Sequence, residues 1–308
     1  MPPARPQASL PRPIACFGAV HWDIIAHADR LIFRDTSTPA HLDQKPGGVA
    51  TNVARVLARL GVPTTLIGVT GADPAASSIR AQLERDGVEP HLLELAGQAT
   101  GQYLALHDPD GGLAAACIDD KVLTSAPADF FIKTAQQLPV GALWFVDANL
   151  PVAVLDALAT IAPKAALVAD AVSVAKAPRL KSLLPKLELL LLNRAEAEAL
   201  LAAPADTPAQ DLSADLLGLG VGAVVITSGS EPLHMRNSGQ ILYLAPPAAS
   251  IVDVTGAGDA LIAGTLAGLA REFELDASLQ IGQKAAFETL QASGAVADTL
   301  SWSAIYTD

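Results

Sequence analysis

Near its carboxyl end the chain reads I-V-D-V-T-G-A-G-D-A-L, from Ile251 to Leu261, and no other stretch limits the possible folds as tightly. Val252 to Val254 reads as the end of a buried strand, Thr255 to Gly258 as a turn, and Ala260 onward as an apolar helix. Gly256 and Gly258 let backbone N–H groups converge, so the turn and the helix start predict an anion cradle. Asp259 falls in the first helical turn, where a carboxylate is held ionised without a dedicated partner. An anion site beside a carboxylate base is what moving a phosphoryl group onto a hydroxyl requires. A tight connection in which Asp259 only caps the helix explains the same residues. A dinucleotide-binding turn explains them less well, because G-x-G-x-x-G would want glycine where Leu261 stands and normally opens a chain.

Upstream, apolar strand segments alternate with helical ones. Ile14 to Val20 reads as a strand, Val49 to Gly61 as a helix, Thr64 to Thr70 as a strand and Ala75 to Asp86 as a helix. In the helix after residue 48, Val49, Val53, Val56, Leu57 and Leu60 mark the apolar face and Arg55 and Arg59 lie away from it. The rhythm resumes at L-W-F-V-D-A-N-L (143–150), with a helix over Val152–Ile161 and strands at A-L-V-A-D, Leu187–Leu192 and Gly222–Thr227. Such alternation predicts an α/β chain with a mainly parallel sheet. Leu233–Leu244 reads as a hairpin and Ser278–Ser293 as the last helix. The rhythm breaks twice. Residues 24–45 have no helical period and fit two edge strands, and residues 100–122 read as a hairpin turning at D-P-D-G. These strands predict an appendage able to close over a pocket and exclude water; an ordinary extra hairpin is the alternative.

Composition narrows the partners. The 308 residues are 51% hydrophobic, 17% charged and 4% aromatic, which predicts an ordered globular chain packed mainly with aliphatic side chains. A formal net charge of −12, without a Lys/Arg run, argues against a nucleic-acid partner but leaves room for a local basic pocket. Residues 1–13, with prolines at 2, 3, 6, 11 and 13, read as a flexible tail and not a signal peptide. No uncharged apolar run reaches the ~18 residues of a membrane span. Cys16 and Cys117 suit a reducing compartment and read as small buried apolar residues, so the expectation is a soluble cytoplasmic protein.

Several polar residues sit where α/β proteins place their ligands, beyond the ends of strands. Asp23 follows the first strand, and a carboxylate suits a vicinal diol because it accepts hydrogen bonds and supplies none; a polar loop is the plain alternative. Gly47 and Gly48 permit close backbone approach, and Asn52, unfavourable inside a helix without a partner, calls for one. Asn193 and Glu196 share a face and fit either a hydrated magnesium ion or a capping box. Lys176 and Arg179 fit either solvated positive charges or phosphate contacts.

D-V-T-G-A-G-D-A, preceded by P-G-G-V-A-T-N (46–52) and N-R-A-E (193–196), resembles the ribokinase family of small-molecule kinases over residues 14–297. The resemblance implies a ribokinase-like three-layer sandwich over residues 14–302, with a small β lid drawn from about 24–45 and 100–122. It implies that Asp259 accepts the substrate hydroxyl proton while Gly256, Ala257 and Gly258 donate N–H groups to the transferred phosphate. Asp23, Gly47, Gly48 and Asn52 would hold the acceptor. Asn193, Thr227, Gly229 and Asp253 would lie on the nucleotide side, with Glu196 organising magnesium through water and Gln283 or Phe287 bordering the adenine. ATP, Mg2+, a monovalent cation such as K+, and a homodimer formed through the lid are further implications. Within the family, T-G-Q-Y-L-A-L-H-D-P-D-G (100–111), A-A-C-I-D-D and D-A-V-S-V-A-K-A-P-R-L (170–180) resemble bacterial pseudouridine kinases, with Ala171 replacing a proline. That likeness implies Thr100 and Asp119 on the nucleobase side, pseudouridine as acceptor at its 5′-hydroxyl, and leaves His21 equally a structural residue or a ligand. Another nucleoside, a free sugar, or binding without catalysis are the other readings.

Overall fold

Four consecutive residues of the first strand divide between two hydrophobic clusters, Ile14 and Cys16 in one, Ala15 and Phe17 in the other. Side chains alternate across a sheet, so a strand apolar at every position needs cover on both faces. In the computed structural model, which describes residues 10–164, 166–248 and 251–306, helices supply that cover.

The chain begins with β1 (Ile14–Phe17), β2 (His21–Ala28), β3 (Ala40–Gly47), α1 (Val49–Arg59), β4 (Thr64–Gly71), α2 (Pro74–Arg85) and β5 (Glu89–Leu95). It continues through β6 (Gly101–His107), β7 (Leu113–Asp119), α3 (Lys121–Thr124), α4 (Ala128–Ala135), β8 (Leu143–Asp147), α5 (Val152–Ile161) and β9 (Leu167–Asp170). The last part holds β10 (Leu189–Asn193), α6 (Arg194–Leu201), α7 (Ala209–Gly218), β11 (Ala223–Ser228), β12 (Glu231–Asn237), β13 (Ile241–Leu244), α8 (Ala257–Leu269), α9 (Leu275–Leu290) and α10 (Trp302–Ile305).

Nine strands form the central sheet in the order β13-β12-β11-β10-β9-β8-β1-β4-β5, parallel from β11 to β5 and antiparallel at the β12–β13 edge. Residues of α1, α2, α8, α9 and α10 pack in one cluster, and residues of α3 to α7 in the other. This is the three-layer α/β sandwich expected. The second sheet has the order β3-β2-β6-β7, with β2 parallel to β6 and its other pairs antiparallel. It comes from the two stretches that break the rhythm, although β2 starts at His21 and β3 reaches Gly47, beyond the expected limits.

Other expectations need correcting. Val252 and Val254 belong to no strand and are 66% and 68% exposed. The segment is tied instead to the end of α9, where Val252 N–H donates to the Leu290 carbonyl at 2.8 Å. Ile251 and Val254 line a cavity, Val252 is exposed, and none enters the sheet. Arg55 lies buried, its guanidinium 2.6 Å from Asp86 at the end of α2 and donating to the Pro46 carbonyl of β3 at 3.3 Å. Cys16 is buried but Cys117 is exposed, since β7 is an edge strand of the small sheet. Residues 1–9 of the expected flexible tail lie outside the described residues; Arg12 is anchored, its N–H donating to the Ala270 carbonyl at 2.8 Å. The stretch after Ser293 ends in the short helix α10, so α9 is not the last helix. Strand β5 and helices α3, α4 and α7 carried no signal in the sequence reading.

Candidate active site

Three neighbouring strands end on polar groups: β8 on Asp147, β9 on Asp170 and β10 on Asn193, with Asp147 opposite Asp170 and Asn193 opposite Thr227 of β11. The carboxyl edge of the sheet is therefore a line of acceptors, and the glycine turn before α8 is brought beside it.

Gly256 caps α8 in the left-handed region (φ 77°), where a Cβ would lie 2.4 Å from the Ala295 backbone, so only glycine fits. At Gly258 an added Cβ would meet nothing within 4 Å; the space before the helix is open. Asp259, in the first turn, accepts a 2.8 Å hydrogen bond from Asn52 Nδ2 of α1, joining residues 207 apart in sequence. Burial pushes Asp259 up to about 7; the Asn52 bond opposes this and the charges of Asp147 and Asp23 reinforce it. The partner that Asn52 calls for is therefore the carboxylate itself, and its own Oδ1 is buried without a hydrogen bond.

Asp23 lies on β2, not in a loop, and its Oδ1 is likewise buried and unpartnered. Burial raises it to about 7 against the pull of Lys45 and Arg55. A Cβ on Gly47 would come within 1.8 Å of the Asp23 carboxylate, and Gly48 (φ 96°) sits against the Ala19 carbonyl. Behind these groups, fully buried Asp147 accepts from the N–H groups of Ala19, Ala50 and Asn149 at 3.1, 3.0 and 3.0 Å. It caps α1 from another strand, since Gly48 has no side chain to do so. In the sequence Asp147 and Asp170 stand only as the aspartates closing the apolar runs L-W-F-V-D and A-L-V-A-D.

Asn193 and Glu196 form a capping box: Asn193 Oδ1 accepts from Glu196 N–H at 2.9 Å and Glu196 Oε2 from Asn193 N–H at 2.8 Å. Asp170 is held well above the usual carboxylate range by burial, then by Glu196 and Asp259. The negative charge that Glu196 and Asp259 bring to Asp170 suits a divalent cation, yet no group of three metal-ligating side chains has converged among the described residues. The fit is to an ion held mainly through water and phosphate oxygens. A cavity of about 560 Å³ adjoins the helix start, lined by Thr227, Gly229, Val254, Gly258, Gln283 and Phe287 among others. An apolar slot opening onto a helix N-terminus fits a nucleotide, base inward and phosphates at the glycines.

Other residues are engaged elsewhere. The Thr100 hydroxyl donates to Asp73 Oδ1 at 2.6 Å and accepts from Gly71 N–H at 3.1 Å, so it is not free to read a base. Asp119 is exposed and accepts from Lys121 N–H at 3.2 Å. Its neighbour Asp120 points inward instead, 3.3 Å from Lys176 Nζ, which also donates to Asn149 Oδ1. Arg179 donates to the carbonyls of Ala148 and Asn149 at 3.2 and 2.8 Å. Lys176 and Arg179, both partly buried, thus hold the loop after β8. His21 is buried, with Nε2 unpartnered; burial and then the Lys176 charge lower it to about 4, so its ring is neutral at pH 7. Asp253 ties its own loop, accepting from Thr255 and Gly294 N–H, both at 2.8 Å. These bonds and Lys45 outweigh its burial and lower its proton affinity.

A layered α/β sheet, a smaller sheet over its carboxyl edge and a glycine-lined helix start beside a carboxylate define a small-molecule phosphotransferase scaffold. The chain belongs to the pfkB family of carbohydrate kinases, whose model matches residues 12–302. It is 28% identical over 258 residues to a pseudouridine kinase of Escherichia coli (strain K12), covering 82% of each chain. It is 30% identical over 253 residues to the bifunctional protein HldE of Azotobacter vinelandii, but spans only 52% of that protein. Among solved structures, a carbohydrate kinase from Agrobacterium tumefaciens superposes with a TM-score of 0.81 at 30% identity, covering 96% of this chain and 95% of that one. Arabidopsis thaliana ribokinase, complexed with ribose and ATP, gives 0.82 at 22% identity over 96% and 98%, a likeness of fold. The fold is therefore ribokinase-like, and the chain is an ATP-dependent kinase of the small sugar or nucleoside type. No described helix is long and apolar enough to cross a membrane.

Proposed function

We propose that this protein transfers the terminal phosphoryl group of ATP to the 5′-hydroxyl of pseudouridine. The observation that carries the reading is the Asn52–Asp259 contact, which sets a carboxylate of raised proton affinity at the start of α8, beside open space over Gly258. Asp23 has an unpartnered oxygen available for ribose hydroxyls, with Gly47 and Gly48 allowing close approach. Asp259 takes the 5′-hydroxyl proton as the new O–P bond forms and the β,γ bridge breaks, releasing ADP. The N–H groups of residues 256–258 neutralise the charge that spreads over the transferred group. Magnesium, organised from the side of Glu196 and Asp170, supplies further charge neutralisation when bound.

Pseudouridine is favoured over other acceptors by the lid and 170–180 motifs and by likeness to the E. coli pseudouridine kinase over most of both chains. His21, Asp120 and Lys176 lie together at the base of the small sheet and are stronger candidates for reading the base than Thr100. An ADP-release panel with pseudouridine, uridine, adenosine, ribose and fructose tests the assignment, with pseudouridine expected to give the highest kcat/KM. Preference for a free sugar sinks the substrate assignment; no turnover with any acceptor sinks catalysis itself. We also infer a homodimer through the lid, where Leu42 and Leu104, 53% and 38% exposed, share one face with Ile24 and Cys117.

A further inference from the structure

A second cavity of about 530 Å³ lies behind the lid strands β2 and β3, between them and the helices α1 and α2. Its wall carries four cations, Lys45, Arg55, Arg59 and Arg85, in a chain whose formal net charge is −12. Two of them are neutralised, Arg55 by Asp86 at 2.6 Å and Arg59 by Asp298 at 2.8 Å. Neither Lys45 nor Arg85 has a carboxylate within ion-pair distance among the described residues; Arg85 donates only to the neutral amide oxygen of Gln82 at 2.7 Å. The Nε–H of Arg59 is buried with no hydrogen-bond partner. A buried donor of this kind is destabilising unless something accepts from it. The excess of positive charge is local, recessed and next to an indole, since Trp22 forms part of the same wall.

We propose that this cavity is a binding site for a phosphate monoester with a ring body, a sugar phosphate or nucleoside monophosphate, separate from the sites for ATP and its acceptor. Guanidinium and ammonium groups recognise the dianion, Arg85 being the one that no carboxylate engages, whereas the Lys45 charge is shared with Asp23 and Asp253. A volume of about 530 Å³ exceeds the needs of inorganic phosphate, and the Trp22 face with the nearby amides suits a ring carrying hydroxyls. Occupancy would be felt at the acceptor side, because Lys45 and Arg55 also act on Asp23 and Arg55 donates to the Pro46 carbonyl at 3.3 Å, one residue before Gly47.

The test uses the full chain with the nucleotide cavity filled by excess ADP. Ribose 5-phosphate, AMP, inorganic phosphate, sulfate and uncharged ribose are titrated by calorimetry, alongside tryptophan fluorescence of the wild type and Trp22→Phe. One or both monoesters should bind more tightly than phosphate or sulfate, with a fluorescence change that Trp22→Phe lacks. Arg85→Glu, an exposed change that leaves the core intact, should weaken binding about tenfold or more, while Asp259→Asn should leave it unchanged. No binding up to millimolar concentration overturns the proposal, as does binding insensitive to Arg85→Glu. Equal weak binding of phosphate and sulfate, with no gain from the ribosyl body, means an adventitious ion only and overturns it too. The readout is independent of which acceptor is phosphorylated.

Discussion

Asp259 and Asn52 carry the strongest demands at the scale of single residues. If Asp259 is the base, kcat/KM rises with pH through an apparent value near 7, because only the carboxylate form accepts a proton. Asp259→Asn should lower kcat by about 10²–10⁴ while calorimetry still detects acceptor binding; unchanged turnover would remove this residue from the chemistry. The same substitution tests the burial of the charge. A carboxyl whose folded pKa is raised keeps its proton in the native state after the unfolded chain has lost its own. The stability it contributes is present below about pH 4 and declines as pH rises through about 7. Asp259→Asn should therefore melt higher than wild type at pH 8, with the gap closing below pH 4 in thermal scans. Asn52→Leu removes the one bond that favours the ionised form, so the rising limb of the pH–rate profile should shift to higher pH. A limb that stays in place would show that the bond does not set the proton affinity.

Among elements, α1 and α8 depend most on contacts from outside themselves. Helix α1 starts at a glycine with no capping side chain, and Asp147 of β8 stands in for the cap. Asp147→Ala leaves the N–H groups of Ala19, Ala50 and Asn149 without their acceptor, and about 3 kcal/mol or more should be lost in denaturant titrations. A loss below ~0.5 kcal/mol would mean that water replaces the carboxylate fully. At α8, Gly256→Ala combines a left-handed backbone with backbone atoms of Ala295 only 2.4 Å from the new Cβ. The neighbour is main chain, not a flexible side-chain tip, so the cost should exceed the ~1–3 kcal/mol of an isolated strained residue. The turn glycines, the helix period of α1 and the hairpin of β6 and β7 were all legible as local patterns. The strand assigned to Val252–Val254 was not real, because apolar residues left at the surface or at the rim of a cavity and apolar residues that enter a sheet read alike in one dimension.

On the scale of the whole molecule, the small sheet is the part with most left to bury. Leu104→Lys should shift the protein from dimer to monomer in light scattering and leave the far-UV spectrum unchanged, if the lid face joins two copies. A wild-type protein that is monomeric at micromolar concentration would refute that assembly. The central sheet needs no partner, since both its faces are covered by helices.

The order of strands and helices, the apolar strands of the sheet, the appended hairpins and the candidate carboxylate beside its glycines were determined by the sequence itself. Each depends on periodicity or on turn chemistry within a few neighbouring residues, which a linear chain displays directly. Tertiary structure alone decided which groups were already engaged. Asn52 finds Asp259 across 207 residues, Asp147 caps a helix that starts nearly a hundred residues earlier, and Thr100 loses its hydroxyl to Asp73. Only folding could also raise Asp23 and Asp259 to about 7, because the removal of water around a carboxylate is a property of everything packed over it.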